Sequence, residues 1–210
     1  MESPEIDSPE MDPAFQQLLI DMMSGKTEEE DIPEVSDGYS LVLMMGLDDS
    51  GKTSLLNQFI HHEFFKPSPT NLAEHTKFTF NDRNLFIREI GGRYRYREDW
   101  PTLYEHAKAL IWVIDLIDRG RVIESREEFE KVINHELIKD LPVLIILNKI
   151  DSRLKMERNV CCELMQFSKY ENKNLKIIET CQRTCQEIDE GFKWIIENLP
   201  EQPKNEAAQE

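Results

Sequence analysis

The sequence predicts a three-layer α/β fold: a mostly parallel six-stranded sheet with one antiparallel edge strand and helices on both faces. From Tyr39 onward, short apolar runs of strand length alternate with amphipathic stretches of helix length, the pattern of a parallel sheet covered by helices. Between two of those runs, Asn81-Asp82-Arg83-Asn84 reads as a hairpin turn, which makes that neighbouring pair antiparallel. The strands are expected over 39–45, 74–80, 85–90, 109–116, 142–148 and 175–180. The helices are expected over 52–61, 98–106, 124–138, 157–167 and 186–198.

A chain of 210 residues fits one such domain, placed at 38–199, with an extension at 1–37 and a polar tail at 200–210. The extension holds twelve acidic residues against Lys26 alone, so most of the net charge of −16 lies there. A segment that poor in apolar side chains is expected to stay largely disordered. Asp12 as cap and Pro13 as first residue permit one short helix, with Phe15, Leu18, Leu19, Met22 and Met23 near one face. It would dock on its own domain or a partner, or form only transiently. The acidic excess argues against nucleic acid and anionic lipid as general partners, since both are polyanions. No apolar run approaches the roughly 18–20 residues that cross a bilayer. Cys161, Cys162, Cys181 and Cys185 read as small buried hydrophobes of a reducing, cytoplasmic setting, with no metal ligation by cysteine.

Gly46-Leu47-Asp48-Asp49-Ser50-Gly51-Lys52-Thr53 fits G-x-x-x-x-G-K-[ST] and stands between an apolar strand and a helix, where its mechanism requires it. Glycines at 46 and 51 let the backbone turn its N–H groups inward, and the following helix adds its positive end to a nest for phosphate oxygens. Lys52 would reach the β and γ phosphates, and Thr53 would give its hydroxyl to Mg²⁺.

Asn148-Lys149-Ile150-Asp151 follows another apolar strand at its carboxyl end, where open α/β sheets bind ligands. The Asp151 carboxylate can accept from the ring N–H and exocyclic amine of guanine. Adenine offers no such pair of donors, so the motif selects GTP and GDP over ATP. Lys149 can lay its methylene stem along the base plane.

Together these residues resemble the small GTPases, and within them the ADP-ribosylation-factor-like branch. The loop at 46–53 is similar to that branch's G-L-D-N-A-G-K-T, Pro69-Thr70 to its P-T, and Gly91-Gly92 to the double glycine of its W-D-x-G-G-Q. Trp100, Asp115, Asp118-Arg119 and the base reader keep the family's order, and Thr180 to Thr184 resembles its T-C-A-T-S. The resemblance implies that Gly46, Asp48, Asp49, Ser50, Gly51, Lys52, Thr53 and Ser54 line the phosphates, and that Asn148, Lys149, Asp151, Cys181 and Gln182 surround the base. It further implies that Lys52, Thr70 and Gly92 act at the γ-phosphate, and that Thr53, Thr70 and Glu89 form the Mg²⁺ shell.

Two departures bear on activity. Glu89 stands where the family has an aspartate near Mg²⁺, so an added methylene must be absorbed. Arg93 stands where the family has the glutamine that orients the attacking water, and a guanidinium carries five donors and no acceptor. The expected function is therefore a GTP-binding switch with slow or helper-dependent hydrolysis; the alternative is a GTP-binding interaction module without meaningful hydrolysis. Arg93 itself would face solvent or a partner, or swing onto the γ-phosphate. The run Arg93, Tyr94, Arg95, Tyr96, Arg97 has the composition of an interface hot spot and is expected to meet effector, exchange-factor or activating proteins. Glu2 in place of glycine excludes N-myristoylation of the chain as written, so no direct membrane anchor is expected, and the protein is expected to be a monomer.

Overall fold

The computed structural model describes residues 38–61, 70, 72–181, 183 and 187–200. The expectations for the helix at 13–23, for Pro69, for Gln182 and for the tail at 201–210 lie outside the described residues.

Six strands form one sheet: β1 Tyr39–Met45, β2 Ala73–Phe80, β3 Arg83–Ile90, β4 Ala109–Asp115, β5 Val143–Asn148 and β6 Leu175–Glu179, in the order β2-β3-β1-β4-β5-β6. Among the described residues, β2 pairs with β3 antiparallel, while β1 with β3, β1 with β4, β4 with β5 and β5 with β6 all run parallel. The hairpin turn is tighter than expected. Asn81 and Asp82 take it alone, with φ of 48° and 60°, and Arg83 already pairs with Phe80. Asn and Asp tolerate that left-handed backbone, and two such residues match the twist of a hairpin.

Among the described residues, four α-helices cover the sheet: α1 Lys52–His61, α2 Val122–Ile133, α3 Arg158–Leu164 and α4 Ile188–Asn198. Side chains alternate across β1, so Val42 and Met44 join one core cluster with Leu55, Leu56 and Phe192, while Leu43 and Met45 join another with Trp100, Trp112 and Phe129. Both faces are therefore apolar, which explains the unbroken hydrophobic runs of the parallel strands. On the first face, Phe59 of α1 stacks on Phe192 of α4 at 4.5 Å, and Phe78 and Phe80 of β2 meet the pair edge-on.

Two helix expectations need correction. The segment expected as a helix over 98–106 is a 3₁₀ run, Tyr94–Leu103, with Pro101 inside it. Proline has no N–H to give to an α-helical ladder, and the indole of Trp100 anchors the run by donating to the Gly91 carbonyl at 2.9 Å. The helix expected to reach 138 ends at Ile133, because the chain turns at Asn134 and restarts a local turn in which Ile138 N donates to His135 O.

Candidate nucleotide-binding site

The loop between β1 and α1 has the backbone of a phosphate nest. Gly46, Asp49 and Gly51 have φ of 139°, 59° and 91°. A Cβ on Gly46 would come within 2.3 Å of the Val113 carbonyl oxygen, so only glycine can pass β4 this closely. Lys52 opens α1 yet its side chain curls back over the loop, donating to the carbonyls of Gly46 at 3.2 Å and Leu47 at 3.0 Å. Burial drives the Lys52 ammonium down to about 8, against the opposing pull of Glu89, Asp48 and Asp49. An anionic oxygen at the loop would favour its charged form further.

Thr53, Thr70 and Glu89 come from three separate segments and meet at one point. Thr53 Oγ1 and Thr70 Oγ1 both donate to Glu89 Oε1, the latter at 3.2 Å, and the two hydroxyls lie 3.3 Å apart. Glu89 is buried, and desolvation raises its carboxyl above the ordinary glutamate value, though both hydroxyls and Lys52 oppose the shift. Three hard oxygen donors converging beside a phosphate loop are a set that fits Mg²⁺. The Glu89 carboxylate reaches both hydroxyls despite its longer side chain.

The N-K-x-D strand end is bonded directly to the loop between β1 and α1. Asn148, fully buried at the end of β5, donates from Nδ2 to the Ser50 carbonyl at 2.8 Å and accepts the Lys149 N–H at 2.8 Å. Lys149 donates from Nζ to the Asp49 carbonyl at 2.7 Å and pairs with Asp115, at the end of β4, at 2.6 Å. Asp151 stays at the surface, 3.5 Å from Arg183. Cys181 is buried beside Thr180, whose carbonyl accepts the Ile150 N–H at 3.3 Å. Ser54 lies half-buried in the first turn of α1.

Gly92 lies against the phosphate loop: a Cβ there would fall 2.2 Å from Asp48 N and Leu47 C and 2.4 Å from Gly46 O. Beyond it, Arg93 is half-buried in extended backbone, and Tyr94 and Arg95 are exposed. Arg97 departs from the expected partner-facing run. Its side chain is only 5% exposed, and it bonds inward to the Gly92 carbonyl and to Glu124. The sequence signal was misleading because alternating Arg and Tyr reads as a surface strip, whereas a 3₁₀ run turns the fourth residue after Arg93 under the loop. Arg121, which holds Asp48 by its side chain at 2.8 Å and its carbonyl at 3.2 Å, also escaped the sequence reading, as no motif marks it.

A parallel α/β sheet carrying a glycine-turned phosphate loop, with an N-K-x-D strand end bonded to that loop, defines a P-loop guanine-nucleotide-binding class. A model of the ADP-ribosylation factor family matches residues 35–199, and the chain belongs to that family. Human ADP-ribosylation factor-like protein 5A is 29% identical over 158 residues, covering 75% of this chain and 88% of its own. ADP-ribosylation factor-like protein alp41 of Schizosaccharomyces pombe is 26% identical over 160 residues, covering 76% and 86%. Among solved structures, the Arl6 BBS3 small GTPase from Trypanosoma brucei with bound nucleotide analogue GppNp superposes with a TM-score of 0.69 at 24% identity, over 76% of this chain and 96% of that one. The chain is thus an Arf-like small GTPase with the fold of that family.

Proposed function

We propose that this chain binds GTP and GDP at Gly46–Thr53 and acts as a nucleotide-dependent switch whose own hydrolysis of GTP is slow. The observation that carries the reading is the direct bonding of Asn148 and Lys149 to the carbonyls of Ser50 and Asp49, which couples a base reader to a phosphate nest. Thr53, Thr70 and Glu89 would hold Mg²⁺, which would neutralise phosphate charge there. Lys52 supplies a buried cation at the loop, and Gly92 brings backbone against it with no side chain in the way.

Slow turnover follows from Arg93. Phosphoryl transfer depends on positioning and electrostatics, and a guanidinium cannot accept a hydrogen bond from an attacking water. Losing one preorganised polar group of this kind costs about 10²–10³-fold in rate. The same fact supports a second reading, an interaction module that holds GTP without hydrolysing it. In both readings Arg93, Tyr94, Arg95 and Tyr96 offer an effector or regulator an arginine and tyrosine surface, with Tyr94 79% exposed.

Single-turnover hydrolysis of tightly bound GTP with Mg²⁺, run beside Arg93→Gln and Lys52→Ala, tests this. Slow hydrolysis that quickens in Arg93→Gln supports the switch. GTP intact for hours in the parent and in Arg93→Gln, but lost from Lys52→Ala, supports the module. A parent chain that retains no guanine nucleotide rejects both.

A further inference from the structure

Two successive peptide planes at Gly91–Gly92 are pinned by side chains of the following 3₁₀ run. Trp100 Nε1 donates to the Gly91 carbonyl at 2.9 Å. That carbonyl and the Gly92 N–H share one trans peptide plane and point in opposite directions, so the indole sets where the Gly92 N–H points. Arg97 Nε donates to the Gly92 carbonyl at 2.9 Å and fixes the next plane.

The rest of the Arg97 guanidinium faces other elements. Its NH1 donates to Glu124 Oε1 of α2 at 2.7 Å and lies 3.7 Å from Glu128 Oε1. Its NH2 lies 3.8 Å from Asp48 Oδ1 in the phosphate loop, the same oxygen that Arg121 holds at 2.8 Å. A guanidinium buried to this degree is costly unless each edge is matched, and here the edges are matched by the Gly92 turn, by α2 and by the phosphate loop. Arg97 is the side chain through which those three elements are joined.

We propose that Arg97 is a positioning residue for discrimination between GTP and GDP, holding the Gly92 turn against the phosphate loop by bridging it to Asp48 and Glu124. The inference rests on the nucleotide reading above and deepens it. If the Gly92 N–H meets the third phosphate, as the family resemblance implies, loosening its turn weakens GTP more than GDP. A purely structural role would weaken both together. Lysine at this position keeps the charge but not the planar fork, so its single ammonium does not reproduce the separate guanidinium contacts to the Gly92 carbonyl, Glu124 and Asp48.

The test is the affinity of the full chain for GDP and for a non-hydrolysable GTP analogue, measured with Mg²⁺ by displacement of a fluorescent nucleotide. Parent, Arg97→Lys and Glu124→Gln are compared. Glu124 is half-buried on the surface of α2, so its replacement leaves the core intact even where Arg97→Lys folds poorly. Expected in Arg97→Lys is a fall of about tenfold or more for the GTP analogue, the factor carried by one charge-assisted hydrogen bond, with GDP within about twofold of the parent. Glu124→Gln should shift the ratio in the same direction by less. Equal losses for both nucleotides, or an unchanged ratio in both variants, overturn the proposal while leaving nucleotide binding standing. A parent that binds neither nucleotide overturns the nucleotide reading, and this proposal with it.

Discussion

Asn148→Ala isolates the bond between base reader and phosphate loop. The truncation leaves the Ser50 carbonyl without its 2.8 Å donor and the Lys149 N–H without its 2.8 Å acceptor, at a position with no solvent exposure to compensate. Each buried polar group left unpaired costs about 1–3 kcal/mol, so the pair should cost about 2–6 kcal/mol. For a domain of this size 1 kcal/mol moves the unfolding midpoint by about 2–4 °C, which sets the expected drop at roughly 4–24 °C. Asn148→Asp separates the two bonds. It keeps an acceptor for Lys149 N but turns an acceptor toward the Ser50 carbonyl, so near neutral pH it should be at least as damaging. Both variants should lose GDP and GTP affinity in parallel, because the nest and the base reader serve both nucleotides. Thermal unfolding followed by circular dichroism, with nucleotide titrations alongside, reads all of this. An Asn148→Ala protein that melts within a degree or two of the parent and binds GDP as tightly would sink the argument that these bonds hold the loop.

Other outcomes follow from the same geometry. Gly92→Ala places a Cβ 2.2 Å from two backbone atoms of the loop, too close for any rotamer change to relieve; overpacking of about 1–3 kcal/mol and a clear loss of GTP-analogue affinity are expected, measured by melting and displacement, and normal values for both would refute the close approach. Lys52 has its proton affinity lowered to about 8 in the folded state, so the unfolded chain binds more protons above that pH. Nucleotide-free protein should therefore gain stability as pH rises from about 8 toward 10, by up to about 3 kcal/mol from this group, and Lys52→Met should remove the gain in denaturant titrations. If Thr53, Thr70 and Glu89 hold Mg²⁺, chelation should hasten release of bound fluorescent GDP about tenfold or more, and Glu89→Ala should release it quickly with or without chelator. A release rate indifferent to both would count against that donor set.

What could be read from the sequence was the chemistry that is local in the chain. The G-x-x-x-x-G-K-[ST] loop is eight consecutive residues and the N-K-x-D strand end four, so their motifs are visible in the chain itself, whereas the hairpin turn was expected over four residues and takes only Asn81 and Asp82. The continuous apolar strands likewise announced a sheet buried on both faces. Arg97 was misplaced because its environment is made by Glu124, Asp48 and the Gly92 carbonyl, and neither Asp48 nor Glu124 is near it in sequence. Asp115 was noted only for its order in the chain; its pairing with Lys149 appears once β4 and β5 lie side by side. Pro101 carried a local warning against an α-helix over 98–106, since proline cannot donate to the ladder.

The bonds from Asn148 to Ser50 and from Lys149 to Asp49 span 98 and 100 residues. During synthesis, at about 5–20 residues per second, the phosphate loop waits roughly 5–20 s before the residues that brace it exist. The loop therefore lacks its bracing bonds from Asn148 and Lys149 while the first half of the chain emerges. Loading becomes a late event, after β5 has docked beside β4, and a truncated product ending before Asn148 would carry every residue of the phosphate loop yet lack its support.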